Sequence, residues 1–219
     1  MTSLQTPKLV IFDCDGVLVD SEELANRVLV GRLASHGLNL SLDEAVRFFS
    51  GFTPEDTVAK AEEILGRALP KNFWQETQSR TFSAFKSSLK PIAGAAELVM
   101  ALKQAGMKVC IASSGTHKKL ELTLRLTSLD ELFGRHVFSA EDVTRGKPAP
   151  DLFLFAAGQM RIDPAECLVI EDSRPGIEAA QAAGMRPILF DPDGRHGIYV
   201  KGVTRVIALD QMHNTIGRS

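Results

Sequence analysis

This sequence contains few cysteines, no long apolar runs and no excess of basic charge. The three cysteines, Cys14, Cys110 and Cys167, are an odd number, and their spacing fits neither a disulfide framework nor a zinc site. We therefore expect these three cysteines to be small core residues of a protein in a reducing cytoplasm. The formal net charge of −2, without a basic run, argues against nucleic-acid binding. No apolar run is long enough to span a membrane and no signal-peptide pattern is present, so we expect a cytoplasmic protein without a membrane partner.

Strand-like and helical patterns alternate along most of the 219 residues. The apolar run from Leu9 to Phe12 predicts a first strand, and from residue 20 to 89 only helical periodicity is present. Beyond residue 90 the alternation resumes, which predicts an α/β fold with a parallel sheet covered by helices on both faces. We therefore predict a core made of residues 1–19 and 90–219 and a small all-helical domain made of residues 20–89.

The later elements of the core follow from the same patterns. Strands are predicted at residues 108–112, 137–138, 168–170, 187–190 and 205–207. Helices are predicted at residues 95–105, 117–126, 152–160 and 176–183. In the helical domain, Ser41 with Glu44 and Thr53 with Pro54 indicate two helix starts.

Two carboxylates, Asp13 and Asp15, follow the first predicted strand. Residues i and i+2 of a strand share a face, so both side chains start on the same side. The carboxyl end of a parallel strand is where open α/β sheets bind ligands. The two carboxylates could bind a divalent cation between them, or one could accept a phosphoryl group while the other carries a proton. The alternative at this point is a pair of solvated carboxylates in a strand-to-turn junction.

Polar residues also follow three later strands, namely Ser113 with Ser114, Lys147, and Glu171 with Asp172. Each group alone has an ordinary interpretation, as a helix cap, a solvated loop charge or acidic residues at a helix start. Together they supply carboxylates for a hard cation, a hydroxyl and an ammonium group. These are the parts needed to hold a phosphoryl group.

Four motifs follow one another along the chain: Asp-x-Asp-Gly-Val-Leu-Val-Asp-Ser from Asp13, the serine Ser113, Gly-Lys-Pro-Ala-Pro-Asp from Gly146, and Glu-Asp-Ser from Glu171 with a glycine three residues beyond. In this order they resemble the motifs of the haloacid dehalogenase superfamily. The likeness is greatest to the branch that includes β-phosphoglucomutase and phosphoglycolate phosphatase. It implies a Rossmann-like core, a helical cap domain at residues 20–89, a Mg²⁺ cofactor and an aspartyl-phosphate intermediate.

The resemblance also implies roles for the carboxylates. Asp13 matches the nucleophile, which also binds Mg²⁺. Asp15 matches the general acid and base, and its backbone carbonyl matches a metal ligand. Glu171 and Asp172 match the acidic pair of the fourth motif, so both are predicted at the metal.

Further roles concern the phosphate and the leaving group. Ser113 matches the hydroxyl that holds a phosphoryl oxygen, and Ser114 is assigned to substrate binding beside it. Lys147 matches the cation that offsets repulsion between the nucleophile and the phosphate. Gly51 and Phe52 of the cap are predicted to shape the pocket for a small leaving group. The alternative is that Gly51 only forms a turn and Phe52 belongs to the helical core.

Departures from the relatives favour phosphate hydrolysis. True dehalogenases lack the second aspartate, which is present here as Asp15. The mutase branch has basic cap residues that grip a second phosphate, whereas this chain has Ala25, Ser50 and Pro54 at those positions. Nothing marks a cap lysine as the Schiff-base residue of phosphonoacetaldehyde hydrolase.

The sequence therefore predicts a Mg²⁺-dependent phosphatase acting on a small phosphorylated metabolite, a sugar phosphate or a sugar-acid phosphate. We expect a monomer or weak homo-oligomer. The alternatives are a phosphomutase, a phosphonoacetaldehyde hydrolase-like enzyme and a non-catalytic protein that binds phosphorylated metabolites.

Overall fold

A computed structural model describes residues 6–49, 52–192, 194, 202–212 and 216. Its strands are β1 (Leu9–Phe12), β2 (Lys108–Ser113), β3 (Val137–Ser139), β4 (Cys167–Glu171), β5 (Arg186–Phe190) and β6 (Thr204–Val206). Its α-helices are α1 (Glu22–Ala34), α2 (Leu42–Phe49), α3 (Pro54–Leu65), α4 (Phe73–Ser88), α5 (Ala95–Gln104), α6 (His117–Leu126), α7 (Asp130–Phe133), α8 (Asp151–Met160) and α9 (Arg174–Ala182). Single 3₁₀ turns cover Ala140–Asp142, Pro164–Glu166 and Leu209–Gln211.

The described strands form one six-stranded sheet in the order β3-β2-β1-β4-β5-β6. Every neighbouring pair is parallel, and Leu9 of β1 aligns with Lys108 of β2 on one side and Cys167 of β4 on the other. The strand order reverses direction at β1, which makes the carboxyl end of β1 the topological switch point where such sheets bind ligands. The predicted parallel α/β fold is confirmed.

Strand β1 is apolar at every position because helices cover both faces of the sheet. Leu9 and Ile11 are fully buried in a cluster that includes Leu152 of α8 and Ala180 of α9. Phe12 points to the opposite face, where its ring meets that of Phe133 in α7 edge-on at 5.8 Å between centroids. The alternation of side chains along a strand thus assigns α8 and α9 to one face and α7 to the other.

The chain divides into two compact units, residues 1–19 with 90–219, and residues 20–89. The second unit contains α1 to α4 around its own apolar core, in which Leu33 and Phe73 are almost fully buried. Its helix starts follow local capping chemistry. The Ser41 N–H donates to Glu44 Oε2 (2.9 Å) while the Glu44 N–H donates to Ser41 Oγ (3.2 Å), and the Thr53 hydroxyl caps α3.

Differences between the predicted and observed elements are small and have local causes. Helix α7 was not predicted because four residues are too few to show helical periodicity. Strand β2 runs one residue beyond the prediction, so Ser113 pairs with Ser139 of β3 and belongs to the sheet rather than to the loop. This extension gives Ser113 a fixed backbone.

The three cysteines are free and buried, as predicted from their apolar neighbours. Burial raises the pKa of the Cys14 thiol well above its usual value, and the nearby Asp15 and Asp13 carboxylates add to this effect. Within the described ranges, no helix combines the length and the apolar character that crossing a bilayer requires.

Helix α8 offers a matched pair of leucines for testing which face supports the core. Leu152 is fully buried, whereas Leu154 is 42% exposed. We expect Leu152→Ala to lower the free energy of unfolding by about 2–5 kcal/mol, because it leaves a cavity. Leu154→Ala, with the same change in helix propensity, should cost less than about 1 kcal/mol. Urea unfolding followed by circular dichroism measures both; equal losses would contradict the assigned face.

Candidate active site

A buried ammonium group joins the ends of three strands of the sheet. Lys147 Nζ lies 2.6 Å from Asp13 Oδ1 after β1, 2.7 Å from Glu171 Oε1 at the end of β4, and 3.0 Å from the carbonyl oxygen of Ala112 in β2. The Lys147 side chain is only 4% exposed. An ammonium group has three N–H donors, and these three acceptors use them all.

The charge of Lys147 is held firmly in place. Burial alone lowers the pKa of a lysine, but the Asp13 and Glu171 charges outweigh it and raise the pKa of Lys147. The ammonium group also lies 4.9 Å from the centroid of the Phe153 ring, a cation–π contact supplied by α8. Lys147 therefore acts as a fixed positive charge.

The pKa of Asp13 is raised despite this contact. It is 6% exposed, and its backbone N–H donates to the Ile170 carbonyl of β4 (2.9 Å). Burial raises the pKa of Asp13 to about 7; Lys147 lowers it, and the Glu171 and Asp15 carboxylates raise it. Burial is thus the largest cause of the raised pKa of Asp13.

Glu171 is fully engaged by groups of the protein. Oε1 accepts from Lys147, while Oε2 accepts from the backbone N–H and the hydroxyl of Ser173, both at 2.8 Å. The Ser173 hydroxyl in turn accepts from the N–H of Gly176 (3.2 Å) and so caps α9. A Cβ at Gly176 would overlap the Glu171 carboxylate. The sequence predicts Glu171 at the metal, whereas the structure places its oxygens on Lys147 and Ser173.

Asp172 lies against the turn that follows Asp15. Gly16 has a φ of +74°, and a Cβ there would overlap the Asp172 carboxylate. The turn itself is closed by a hydrogen bond from the Gly16 N–H to the Val19 carbonyl (3.0 Å). A residue without a side chain is needed at position 16 both for its backbone angle and for this close approach.

The two serines after β2 differ in their surroundings. Ser113 is 1% exposed, and its hydroxyl accepts from the Gly115 N–H at 3.2 Å. Ser114 is exposed. The Ser139 hydroxyl donates to the Gly115 carbonyl (2.7 Å), which ties this loop to β3. Ser113 is therefore the more rigidly held of the two hydroxyls.

Lys119 of α6 contacts the site, although the sequence motifs assign no role to it. Its Nζ lies 2.8 Å from Asp15 Oδ2. Burial lowers the pKa of Lys119, but the charge of Asp15 and the hydrogen bond to it prevail and raise that pKa. One signal existed: the first turn of α6 contains Lys118 and Lys119 and no acidic residue, contrary to the preference for negative charge at a helix start.

His117 does not enter the cluster of contacting side chains described above. Its Nε2 lies 2.9 Å from Asp142 Oδ1, and its backbone N–H donates to Glu141 (2.7 Å). It therefore connects α6 to the 3₁₀ turn after β3.

Of the two predicted cap residues, Gly51 lies outside the described residues. Phe52 is 47% exposed, and its N–H donates to the Phe49 carbonyl (3.1 Å). This exposure does not fit the alternative in which Phe52 completes the helical core.

Residues 7–184 match the family model described as haloacid dehalogenase-like hydrolase. The chain belongs to this family. The hydrolase is 35% identical to the Arabidopsis thaliana protein SUPPRESSOR OF QUENCHING 1, chloroplastic, over 82% of its own length but only 17% of that protein. It is 29% identical to the 6-phosphogluconate phosphatase of Escherichia coli K12, over 93% of this chain and 91% of that one.

A solved structure shares both the sequence and the fold. The HAD family hydrolase of Deinococcus radiodurans R1, solved with bound phosphate and sodium, is 33% identical to this hydrolase. The two superimpose with a TM-score of 0.81, covering 97% of this chain and 96% of the other. The Rossmann-like fold and the hydrolase class are thus confirmed.

The donor set of this hydrolase fits Mg²⁺. Among the residues that the structure describes, no three His, Cys, Asp or Glu side chains converge as a metal-binding group. Mg²⁺ needs fewer, because it keeps several waters and is usually bound by one or two carboxylates. Asp13 and Asp172 are buried carboxylates at adjoining strand ends. Because Gly16 has no side chain, the Asp172 carboxylate can lie against the Asp15–Gly16 backbone.

Two helical glycines test the packing of Glu171. We expect Gly176→Ala to lower the free energy of unfolding by about 1–3 kcal/mol, because its Cβ would displace the Glu171 carboxylate. Gly158→Ala in α8 has open space around the new methyl group and should raise stability by about 0.5–1 kcal/mol through helix propensity. Denaturant unfolding of both variants is the measurement. A Gly176→Ala protein as stable as the parent would contradict the tight approach of Glu171.

Proposed function

We propose that this hydrolase is a Mg²⁺-dependent phosphatase that acts on a small phosphorylated metabolite through an aspartyl-phosphate intermediate. The observation that carries the proposal is the buried contact of Lys147 Nζ with Asp13 Oδ1 and Glu171 Oε1 at the switch point of the sheet. A fixed cation beside a buried carboxylate is what a nucleophile needs when its substrate is a phosphate dianion.

The proposed reaction has two steps. A carboxylate oxygen of Asp13 forms a bond to phosphorus while the bond from phosphorus to the leaving oxygen breaks, and Asp15 gives its proton to that oxygen. Water then attacks the phosphoryl group on Asp13, Asp15 takes the proton from the water, and phosphate leaves with the Asp13 carboxylate regenerated. The net reaction consumes one water and releases an alcohol and phosphate.

Other groups hold the phosphoryl group in this proposal. Lys147 offsets the repulsion between Asp13 and the phosphate, and the Ser113 hydroxyl donates to a phosphoryl oxygen, with exposed Ser114 beside it. Asp13, Asp172 and the backbone carbonyl of Asp15 would hold Mg²⁺, which supplies further positive charge against the dianion when bound. In this assignment Glu171 orients Lys147 rather than contacting the metal directly.

The proposed substrate is a sugar phosphate or sugar-acid phosphate. Support comes from the similarity to 6-phosphogluconate phosphatase over nearly the whole of both chains. We retain Gly51 and Phe52 as the proposed contacts to the leaving group. We further propose a cytoplasmic enzyme, monomeric or weakly homo-oligomeric, whose partner is the small metabolite and neither nucleic acid nor a membrane.

The alternative reactions have less support. Ala25 and Pro54 cannot grip a second phosphate as basic residues would, which disfavours a mutase. Lys60 is paired with Glu63 at 3.0 Å, and Lys71 is exposed, so neither resembles a buried Schiff-base lysine. A non-catalytic binding protein would have no use for a proton carrier at Asp15.

A panel of phosphorylated metabolites tests the reaction class. We expect the purified protein with Mg²⁺ to release phosphate from sugar phosphates or sugar-acid phosphates, 6-phosphogluconate among them, since the site is built for a phosphate dianion. Phosphate release is measured colorimetrically, and chelation with EDTA should abolish it until Mg²⁺ is restored.

Two results would contradict this expectation. Transfer of phosphate within a hexose phosphate, without net release, would establish a mutase. Absence of Mg²⁺-stimulated release across the whole panel would leave a binding protein.

The nucleophile is tested by Asp13→Asn. We expect kcat to fall on the order of 10⁴-fold, because the amide cannot attack phosphorus while its size preserves the fold. Asp130→Asn, at an exposed carboxylate in α7, is the matched control and should retain full activity.

Rapid acid quench of the parent enzyme, followed by mass spectrometry of its peptides, should find a phosphoryl group on the peptide that contains Asp13. Undiminished turnover by Asp13→Asn would overturn the covalent mechanism.

A further inference from the structure

The ion pair between Lys119 and Asp15 joins groups that are 104 residues apart in the chain. Nζ and Oδ2 are separated by 2.8 Å, and the two side chains are 28% and 21% exposed. By comparison, the Arg125–Glu121 pair on the same helix has both side chains 71% exposed. Exposed pairs contribute little and do not hold a side chain in place, whereas partial burial reduces screening by water and strengthens the contact.

Hydrogen bonds within α6 fix the backbone of Lys119. Its N–H donates to the capping hydroxyl of Thr116 (3.3 Å), and its carbonyl accepts from the Thr123 hydroxyl (3.0 Å). The next residue, Leu120, is 1% exposed. Lys119 is therefore presented from a rigid element rather than from a mobile loop.

The backbone of Asp15 is equally constrained. The N–H groups of Leu18 and Val19 both donate to the Cys14 carbonyl, at 2.9 and 3.0 Å. With the turn closed in this way, the direction of the Asp15 carboxylate depends on its side-chain torsions and on the groups that hold its oxygens.

The chain segments that carry the two residues, β2 with α6 and β1 with the Asp15 turn, are already joined through the sheet. Strands β1 and β2 already pair over their length, from Leu9 with Lys108 to Phe12 with Ile111. A lysine in the first turn of a helix is also electrostatically unfavourable. A residue that goes against this electrostatic preference is a candidate for a role in the site.

We propose that Lys119 is a positioning residue: it holds Oδ2 of Asp15 and so orients the carboxyl group for passing the proton, carried on Oδ1 in the proposed step, to the leaving oxygen. The inference rests on the proposed phosphatase function. In the step concerned, the proton moves from Asp15 to the ester oxygen as the bond from phosphorus to that oxygen breaks and the bond to Asp13 forms. Lys119 gives up no proton and touches no reacting atom.

A difference between leaving groups isolates this role. An alkyl phosphate needs a proton on its leaving oxygen, whereas p-nitrophenyl phosphate releases a stabilised anion and needs little help from a general acid. The value of kcat/KM reports the steps up to loss of that leaving group, so it is independent of the later hydrolysis at Asp13. The two esters thus separate positioning of Asp15 from binding of the phosphate.

The experiment compares Lys119→Met with Lys118→Met, a matched change at the exposed neighbouring lysine. Both variants are assayed on 6-phosphogluconate, or on the alkyl phosphate of the panel that is hydrolysed fastest, and on p-nitrophenyl phosphate. We expect Lys119→Met to reduce kcat/KM about 10–100-fold for the alkyl ester and less than about 3-fold for the nitrophenyl ester. Lys118→Met should leave both values unchanged, and Lys119→Arg should recover most of the alkyl-ester loss.

Equal losses on both esters would overturn the inference and make Lys119 a phosphate-binding or structural residue. Unchanged kcat/KM on both would overturn it too. If Lys119→Met does not fold, Lys119→Ala replaces it, because alanine keeps the helix propensity and also removes the hydrogen bond to Asp15, and the same ratio decides. A parent enzyme that hydrolyses neither ester would overturn the phosphatase proposal itself, whereas an active parent with an unaltered ratio in the variants overturns only the role of Lys119.

Discussion

The site depends on one buried ammonium group shared between carboxylates that come from different strands. Lys147 contacts Asp13, 134 residues earlier in the chain, and Glu171, 24 residues later. Without it, the two buried carboxylates would face each other uncompensated; removing one partner from such a group costs about 3–5 kcal/mol. The same contact joins fold and chemistry, since it fixes the strand ends that carry the proposed nucleophile.

The fold could be predicted from apolar runs and helical periodicity in the sequence. Fully apolar runs such as Leu9–Phe12 indicate strands buried on both faces, and the parallel topology brings their carboxyl ends together. This is why Asp13 and Lys147 could be predicted to meet before their distance was known. The predicted chemical roles of these residues stay predictions.

The details that sequence patterns missed depend on tertiary contacts. The orientation of Glu171 is decided by the Ser173 donors and by the space at Gly176; both residues belong to the fourth motif, but the motif does not show that they contact the Glu171 carboxylate. Lys119 resembles a solvated charge until the fold places it beside Asp15. Helix α7 is too short for any periodicity to show. The partner of Lys119 is distant in sequence, and the contacts of Glu171 are local but depend on side-chain geometry.

The central position of β1 has a consequence for biosynthesis. This strand is made first, but its two neighbours are β2, aligned from Lys108, and β4, aligned from Cys167. On the ribosome, β1 therefore emerges long before either partner, while the helices of residues 20–89 make their contacts within their own unit and can form in the interval. Strand β1 can pair only after these later segments have emerged. A nascent product that ends before residue 147 therefore contains Asp13 without the lysine that offsets its charge.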